Sequence, residues 1–94
     1  MHIITRARLR EFWQKHPDAE SPLVAWYRIV SRAHYRKPDD IRRDFGSASF
    51  IGGETVVFDI GGGKYRLVTA VVYATGMVYI KRVGTHAEYD RWSL

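Results

Sequence analysis

The sequence contains no cysteine and no long hydrophobic run. Without thiols the chain can form neither a disulfide framework nor a zinc site with thiolate ligands. No apolar segment approaches the roughly 20 residues that a membrane-spanning helix needs, and the first residues show no apolar secretory signal. These absences exclude disulfide-rich secreted and membrane-spanning classes, and they predict a soluble protein of the cytoplasm.

Histidine is also scarce, and no two of the four histidines are four residues apart, the spacing that places two metal ligands on one side of a helix. Catalytic zinc usually takes three protein ligands. The glycine run before Lys64 is followed by Tyr65 and a strand, whereas a phosphate-binding P-loop requires Ser or Thr and a helix. A hairpin turn explains the glycines better. The sequence therefore predicts no metal site and no cofactor.

The chain is rich in basic and aromatic residues. It has 15 Lys and Arg against 10 Asp and Glu, which gives a net charge of +5 and a pI near 9.8. Such a charge favours a polyanionic partner, with nucleic acid the first candidate and an acidic protein the second. With 46% hydrophobic residues, the 94-residue chain can build one small core. We therefore expect a single domain over residues 1–94.

The first half of the chain predicts a strand followed by two helices. Residues 2–4 are apolar, and Thr5 can cap a helix over residues 6–16. A second amphipathic helix follows, and Trp13 and Trp26 lie on the apolar faces of the pair. The two helices should form a hairpin whose aromatic side packs in the core.

The second half changes to a two-residue period, which indicates strands. A short helix near residues 38–46 precedes them. The predicted strands cover residues 49–51, 54–60, 64–74 and 77–83, and residues 85–92 form a final helical turn or a short strand. We expect an α+β fold in which an N-terminal helical hairpin packs on an antiparallel β-sheet.

Basic side chains collect in the last two predicted strands. Lys64 and Arg66 are two apart in one strand and so should point to the same face. Lys81 and Arg82 lie in the next strand. They could be a solvated strand face, as Lys and Arg in strands usually are, or a site for an anionic substrate.

The residues that follow add acid–base groups. A helical turn over 86–90 would place His86, Tyr89 and Asp90 on one side. Metal-free RNA cleavage needs a base that accepts the proton of the attacking 2′-hydroxyl, cations that stabilise the phosphorane, and an acid that protonates the leaving 5′-oxygen. His is the side chain whose unperturbed pKa lies nearest neutrality. Alternatively, His86 serves only as a cap and Tyr89 closes the core.

A second basic run includes Arg36 and Lys37, which could contact phosphates or form a solvated face. Tyr35 beside them could stack on a base.

Four segments, in this order, resemble the HigB-type toxins of type II toxin–antitoxin modules. They are the opening MHIIT, the turn YRKP, the hairpin VVFDIGGGKYRLVTAVVY and the ending VYIKRVGTHAEYDRW. The most specific parts are FDIGGGKYRL and GTHAEYD. The resemblance covers nearly the whole chain, although Gly63 stands where similar toxins commonly have Asn.

The resemblance implies a RelE/ParE-like fold, with helices packed on a curved antiparallel sheet. It implies an endoribonuclease that cleaves mRNA, commonly on the translating ribosome, and so halts translation. It also implies a HigA-type antitoxin with a helix-turn-helix domain, in a complex that binds operator DNA.

By position, the resemblance assigns Lys64 and Arg66 as phosphate stabilisers, His86 as acid or base, and Tyr89 as a base or stacking platform. The supporting or RNA-binding candidates are Lys81, Arg82, Asp90, Arg36 and Lys37. Two other functions share part of this pattern. A non-catalytic RNA- or ribosome-binding module, such as a degenerate toxin, would bind without cutting, and a ParE-like gyrase inhibitor would damage DNA.

Overall fold

The computed structural model describes residues 1–93, and the first half of the chain contributes one strand and most of the helices. These elements are β1 (His2–Ile4), α1 (Ala7–Lys15), a 3-10 helix (Pro17–Ala19), α2 (Glu20–Arg32) and α3 (Pro38–Asp44). Pro17 and Pro38 each occupy a first helical position, where the missing N–H of proline costs no hydrogen bond. No helix within residues 1–93 has the length and apolar composition to cross a membrane.

The second half forms the rest of the sheet and a final short helix. Its elements are β2 (Ser49–Gly52), β3 (Thr55–Ile60), β4 (Tyr65–Val72), β5 (Met77–Thr85) and α4 (His86–Arg91). The predicted α+β class is confirmed, with strands close to the predicted ranges. β5 is two residues longer than predicted and leads directly into α4.

The entry into α1 differs from the prediction. Thr5 has a φ of 70°, in the left-handed region, and lies one residue before the N-cap. Arg6 is the N-cap residue, and no side chain in the described part of the protein caps α1. The prediction of Thr5 as the cap is therefore wrong, because the chain must turn sharply there between β1 and α1.

The sheet has five strands in the order β1-β5-β4-β3-β2. Strands β2 to β5 form an antiparallel meander, but β1 pairs with β5 in parallel, with Ile3 opposite Val78. The sheet is thus mixed, and the prediction of a wholly antiparallel sheet is wrong. A tight turn makes successive strands antiparallel, whereas β1 is separated from β5 by the helices and by strands β2 to β4, a long connection that permits a parallel partner.

The hydrophobic core lies between the helices and one face of the sheet. From the helices it receives Leu9, Leu23 and Trp26, all almost fully buried. Trp26 meets Phe58 of β3 edge to face, with ring centroids 5.4 Å apart. Trp13 is only partly buried at the margin of this core, so its predicted place in the core is correct only in part.

The opposite face of the sheet carries the candidate site. Asp59, Arg66 and Gly84 are successive register partners on β3, β4 and β5. Because side chains alternate along a strand, these positions face away from the core residues Phe58 and Leu67. The three strands therefore place a carboxylate, a guanidinium and a residue without a side chain beside one another.

Candidate active site

Arg66 is held in a fixed position near the start of β4. Its Nε lies 3.2 Å from Asp59 Oδ1 on the neighbouring strand, and its side chain is only 14% exposed. Nη1 donates a hydrogen bond to the carbonyl of Gly63 at 2.6 Å. Within the described residues Nη2 donates none, so part of the guanidinium can bind a phosphate oxygen, for which its planar fork is well suited.

Helix α4 begins where β5 ends, and a capping box of two reciprocal hydrogen bonds stabilises its first turn. Thr85 Oγ1 accepts a hydrogen bond from the backbone of Glu88 at 3.1 Å, and Glu88 Oε1 accepts one from the backbone of Thr85 at 2.8 Å. The latter bond lowers the pKa of the Glu88 carboxyl. The N–H of His86 donates to the carbonyl of Lys64 at 3.1 Å, which ties α4 to the start of β4.

This short helix carries the predicted acid–base groups. His86 Nδ1 lies 3.1 Å from Asp90 Oδ2, and both side chains are more than half exposed. The Arg66 guanidinium carbon lies 5.8 Å from the centre of the Tyr89 ring, within the range of a cation–π contact. The structure thus places Tyr89 beside Arg66, and His86 beside Asp90, on one short helix, while their chemical roles stay predictions.

Removal of the cap should loosen α4 specifically. We expect Thr85→Ala to lower the free energy of unfolding by about 1 kcal/mol, because it leaves the Glu88 N–H without its partner. Amide hydrogen exchange of Glu88 should accelerate, since a helix of six residues depends on its cap. The control is Thr75→Ala, which lies in the exposed turn before β5. Equal exchange rates in wild type and Thr85→Ala would contradict the proposed importance of the cap.

Lys64 does not share a strand face with Arg66. It lies in the turn before β4, and its ammonium group pairs with the carboxylate of Asp18 in the 3-10 helix. The same carboxylate accepts a hydrogen bond from the Tyr65 hydroxyl. The prediction of one face for Lys64 and Arg66 is wrong, because the Gly61–Lys64 turn extends one residue further than its pattern indicated. The role of Lys64 at a phosphate stays a prediction.

The Asp18 contact should make stability depend on pH in the acid range. The hydrogen bond from Lys64, and next that from Tyr65, lowers the pKa of Asp18 from its ordinary value of 3.8. A lowered pKa in the folded state means that the contribution to stability is complete above pH 3.8 and is lost as the pH falls through the lower value. We expect Asp18→Asn to be less stable than wild type at neutral pH and equally stable in strong acid, as measured by urea unfolding. In a Lys64→Ala background the pH-dependent difference should shrink; an unchanged difference would contradict this coupling.

Lys81 and Arg82 lie at an irregularity in β5. Val68 pairs with Arg82 and Thr69 pairs with Ile80, so Lys81 has no partner on β4 and forms a β-bulge. Both side chains are exposed. Arg82 lies over the ring of Trp92, 5.3 Å from its centre, and Trp92 packs edge to face against Tyr89. Arg82 is thereby linked to the candidate site through two aromatic rings.

Arg36 and Lys37 lie between α2 and α3 and make no hydrogen bond or ion pair with Arg66, His86 or Tyr89. Both are exposed beside an open cavity of about 770 Å³. Tyr35 is buried, and its hydroxyl donates to Asp44 Oδ2 at 2.7 Å. Burial raises the pKa of Tyr35. The prediction that Tyr35 stacks on a base is wrong, because its ring is part of the core.

Three residues of the site were not predicted from the sequence. Asp59 could have been found, because a hairpin that closes between Ile60 and Tyr65 pairs Asp59 with Arg66. Trp92 packs directly on Gly84, which is buried and where a Cβ would lie 2.7 Å from the indole ring. Nothing local in the sequence relates Asp18 to Lys64, which are 46 residues apart.

Comparison with known proteins places the chain among toxins. A family model described as the RelE-like toxic component of a toxin–antitoxin system, HigB, matches residues 19–92. The mRNA interferase toxin HigB of Escherichia coli strain K12 is 32% identical over 92 residues, which covers 96% of this chain and 88% of that protein. The mRNA interferase HigB of Escherichia coli O6:H1 is 27% identical over 93 residues, covering 97% and 90% of the two chains.

Proposed function

Because this chain belongs to the HigB family of RelE-like toxins, we propose that it is an mRNA interferase, an endoribonuclease whose cutting of mRNA inhibits translation and growth. One observation carries the assignment of the site: Arg66 is fixed by Asp59 at 3.2 Å, directly beside the helix that bears His86 and Tyr89. A preorganised cation next to acid–base groups is what phosphoryl transfer requires.

The proposed reaction is an attack of the 2′-hydroxyl on its own phosphate. The 2′-oxygen bonds to phosphorus while the bond from phosphorus to O5′ breaks, which leaves a 2′,3′-cyclic phosphate and a 5′-hydroxyl. A base takes the 2′-hydroxyl proton, and an acid gives a proton to O5′. Arg66, with Lys64 once its contact to Asp18 opens, stabilises the extra charge on the phosphorane.

In this reaction His86 transfers a proton as acid or base. Asp90 engages Nδ1 and orients the ring, which leaves Nε2 for the RNA. Tyr89 is the second acid–base group or a stacking platform, and its ring lies beside Arg66 in either case. The mechanism needs no metal ion at the cleaved phosphate.

The test of the proposal is induced expression without an antitoxin, followed by primer extension on a translated transcript. Discrete cuts inside the coding region, together with growth arrest, are the expected result. Growth arrest with intact mRNA would favour a gyrase inhibitor or a non-catalytic RNA- or ribosome-binding module. The absence of both arrest and cuts would identify a degenerate toxin.

The proposal extends to partners. We place the activity in the cytoplasm, on mRNA engaged by the ribosome. A HigA-type antitoxin with a helix-turn-helix domain would neutralise the toxin, and their complex would bind operator DNA. Co-expression of such an antitoxin should abolish both the cuts and the growth arrest.

A further inference from the structure

The β-bulge at Lys81 changes where two consecutive cations point. In a regular strand, neighbouring side chains point to opposite faces. The extra residue of a bulge interrupts this alternation and re-aims the side chains beside it. Lys81 and Arg82 accordingly line the same open groove between α1 and β5.

Helix α1 supports the bulge and supplies the other wall of this α1–β5 groove. Arg8 Nη1 donates a hydrogen bond to the carbonyl of Lys81, the residue that the bulge leaves without a strand partner. Lys15 lies two turns further along the same side of α1. The bulge is thus held by a side chain that itself lines the groove.

The groove has the charge and shape to accept a polyanionic chain. Its volume is about 630 Å³, and it is open to solvent. Among the described residues, four basic side chains and a single acidic one line it: Arg8, Lys15, Lys81, Arg82 and Glu11. Fixed cations along an open groove are the usual means of following a phosphodiester backbone without reading its sequence.

The α1–β5 groove is continuous with the candidate active site. Trp92 lines the groove and lies under Arg82. Trp92 also packs edge to face against Tyr89, whose ring lies beside Arg66. Because Gly84 has no side chain, the indole can approach β5 closely; a Cβ there would lie 2.7 Å from the ring. A base flanking the cleaved nucleotide can stack on Trp92 while its phosphates enter the groove.

We propose that the α1–β5 groove is a single-stranded RNA subsite, in which Arg8, Lys15, Lys81 and Arg82 bind the phosphates of the strand flanking the cleaved bond and Trp92 stacks on a base. The inference rests on the proposed function, since it describes where the RNA strand next to the cleaved bond binds. It adds Arg8, Lys15 and Trp92 to the RNA-binding residues that the sequence indicated.

The experiment measures binding without cleavage. Wild type and variants are titrated, by fluorescence anisotropy at several salt concentrations, into a labelled 2′-O-methyl oligoribonucleotide, which has no free 2′-hydroxyl to attack. Lys15→Glu and Lys81→Glu should each weaken binding about tenfold and reduce the slope of log affinity against log salt by about 0.7 for each phosphate that is no longer neutralised. Trp92→Ala should weaken binding about tenfold with little change in that slope, and Trp92→Phe should restore most of the affinity.

The matched control is Arg10→Glu, which makes the same change in net charge on the same helix at a position outside the groove. The subsite is supported if Arg10→Glu binds the oligonucleotide with wild-type affinity while Lys15→Glu and Lys81→Glu bind it more weakly. Equal weakening in Arg10→Glu and Lys15→Glu would overturn it, because net charge alone would then explain binding. Absence of oligonucleotide binding by wild type would overturn it as well.

The two proposals fail in different ways. If wild type cuts mRNA in cells but Lys15→Glu, Lys81→Glu and Trp92→Ala bind the oligonucleotide like wild type, only the subsite is wrong. If those variants bind weakly but wild type cuts no mRNA, the groove stands as an RNA-binding site and the enzymatic proposal falls.

Discussion

Arg66→Ala should abolish growth arrest and slow RNA cleavage by about 10²–10³-fold, the effect that follows removal of one preorganised electrostatic interaction with a transition state. The guanidinium is fixed by Asp59 and Gly63 before substrate arrives. It therefore needs no reorganisation as charge develops on the phosphorane. The measurement is the single-turnover rate of cutting, with circular dichroism to verify that the variant is folded.

Two further variants separate charge from position. Arg66→Lys keeps the charge but cannot contact Asp59, Gly63 and a phosphate together, so only partial activity should remain. Asp59→Asn leaves Arg66 in place but weakens its anchor, and an intermediate reduction of the rate should follow. Arg43→Ala, which removes an exposed arginine of α3, should cut like wild type. A folded Arg66→Ala variant with the wild-type rate would disprove the assignment.

His86→Ala should slow cleavage by about 10²–10⁴-fold, the usual contribution of a positioned acid–base group. The side chain is exposed and its ring contacts Asp90 on the same helix, so its removal should change the fold little. Binding of a 2′-O-methyl oligonucleotide should stay close to wild type, because the substitution removes proton transfer and leaves affinity unchanged. A lower cleavage rate with unchanged RNA affinity would distinguish His86 from the residues of the α1–β5 groove, whose substitution should weaken RNA binding.

The matched control for this variant is His34→Ala, which removes another exposed histidine between α2 and α3. It should arrest growth and cut mRNA like wild type. Asp90→Asn should lower the rate less than His86→Ala, because the amide can still orient the ring through a hydrogen bond. Cleavage by His86→Ala at the wild-type rate would assign proton transfer to another group and leave Tyr89 as the first candidate.

Most of the secondary structure could be predicted because its signals are local. The two-residue period and the glycine turns predicted β2 to β5 within a few residues. The spacing of Thr85 and Glu88 is that of a capping box and could have predicted where α4 begins. The candidate residues on α4 could be grouped for the same reason, since His86, Tyr89 and Asp90 are three and four residues apart.

The sequence by itself determined the class of elements, the hairpin that carries Arg66 and the short helix that carries His86 and Tyr89. Each depends on residues close in the chain, whose turn chemistry and side-chain period act locally. Only the tertiary structure decided that β1 joins β5 in parallel, that Lys64 pairs with Asp18, and that Tyr35 belongs to the core. It also decided that the β-bulge at Lys81 directs the side chains of Lys81 and Arg82 toward the same groove. Each of these contacts joins residues that are far apart in sequence. Local sequence preferences do not decide between the possible partners, so the packing of whole helices and strands selects them.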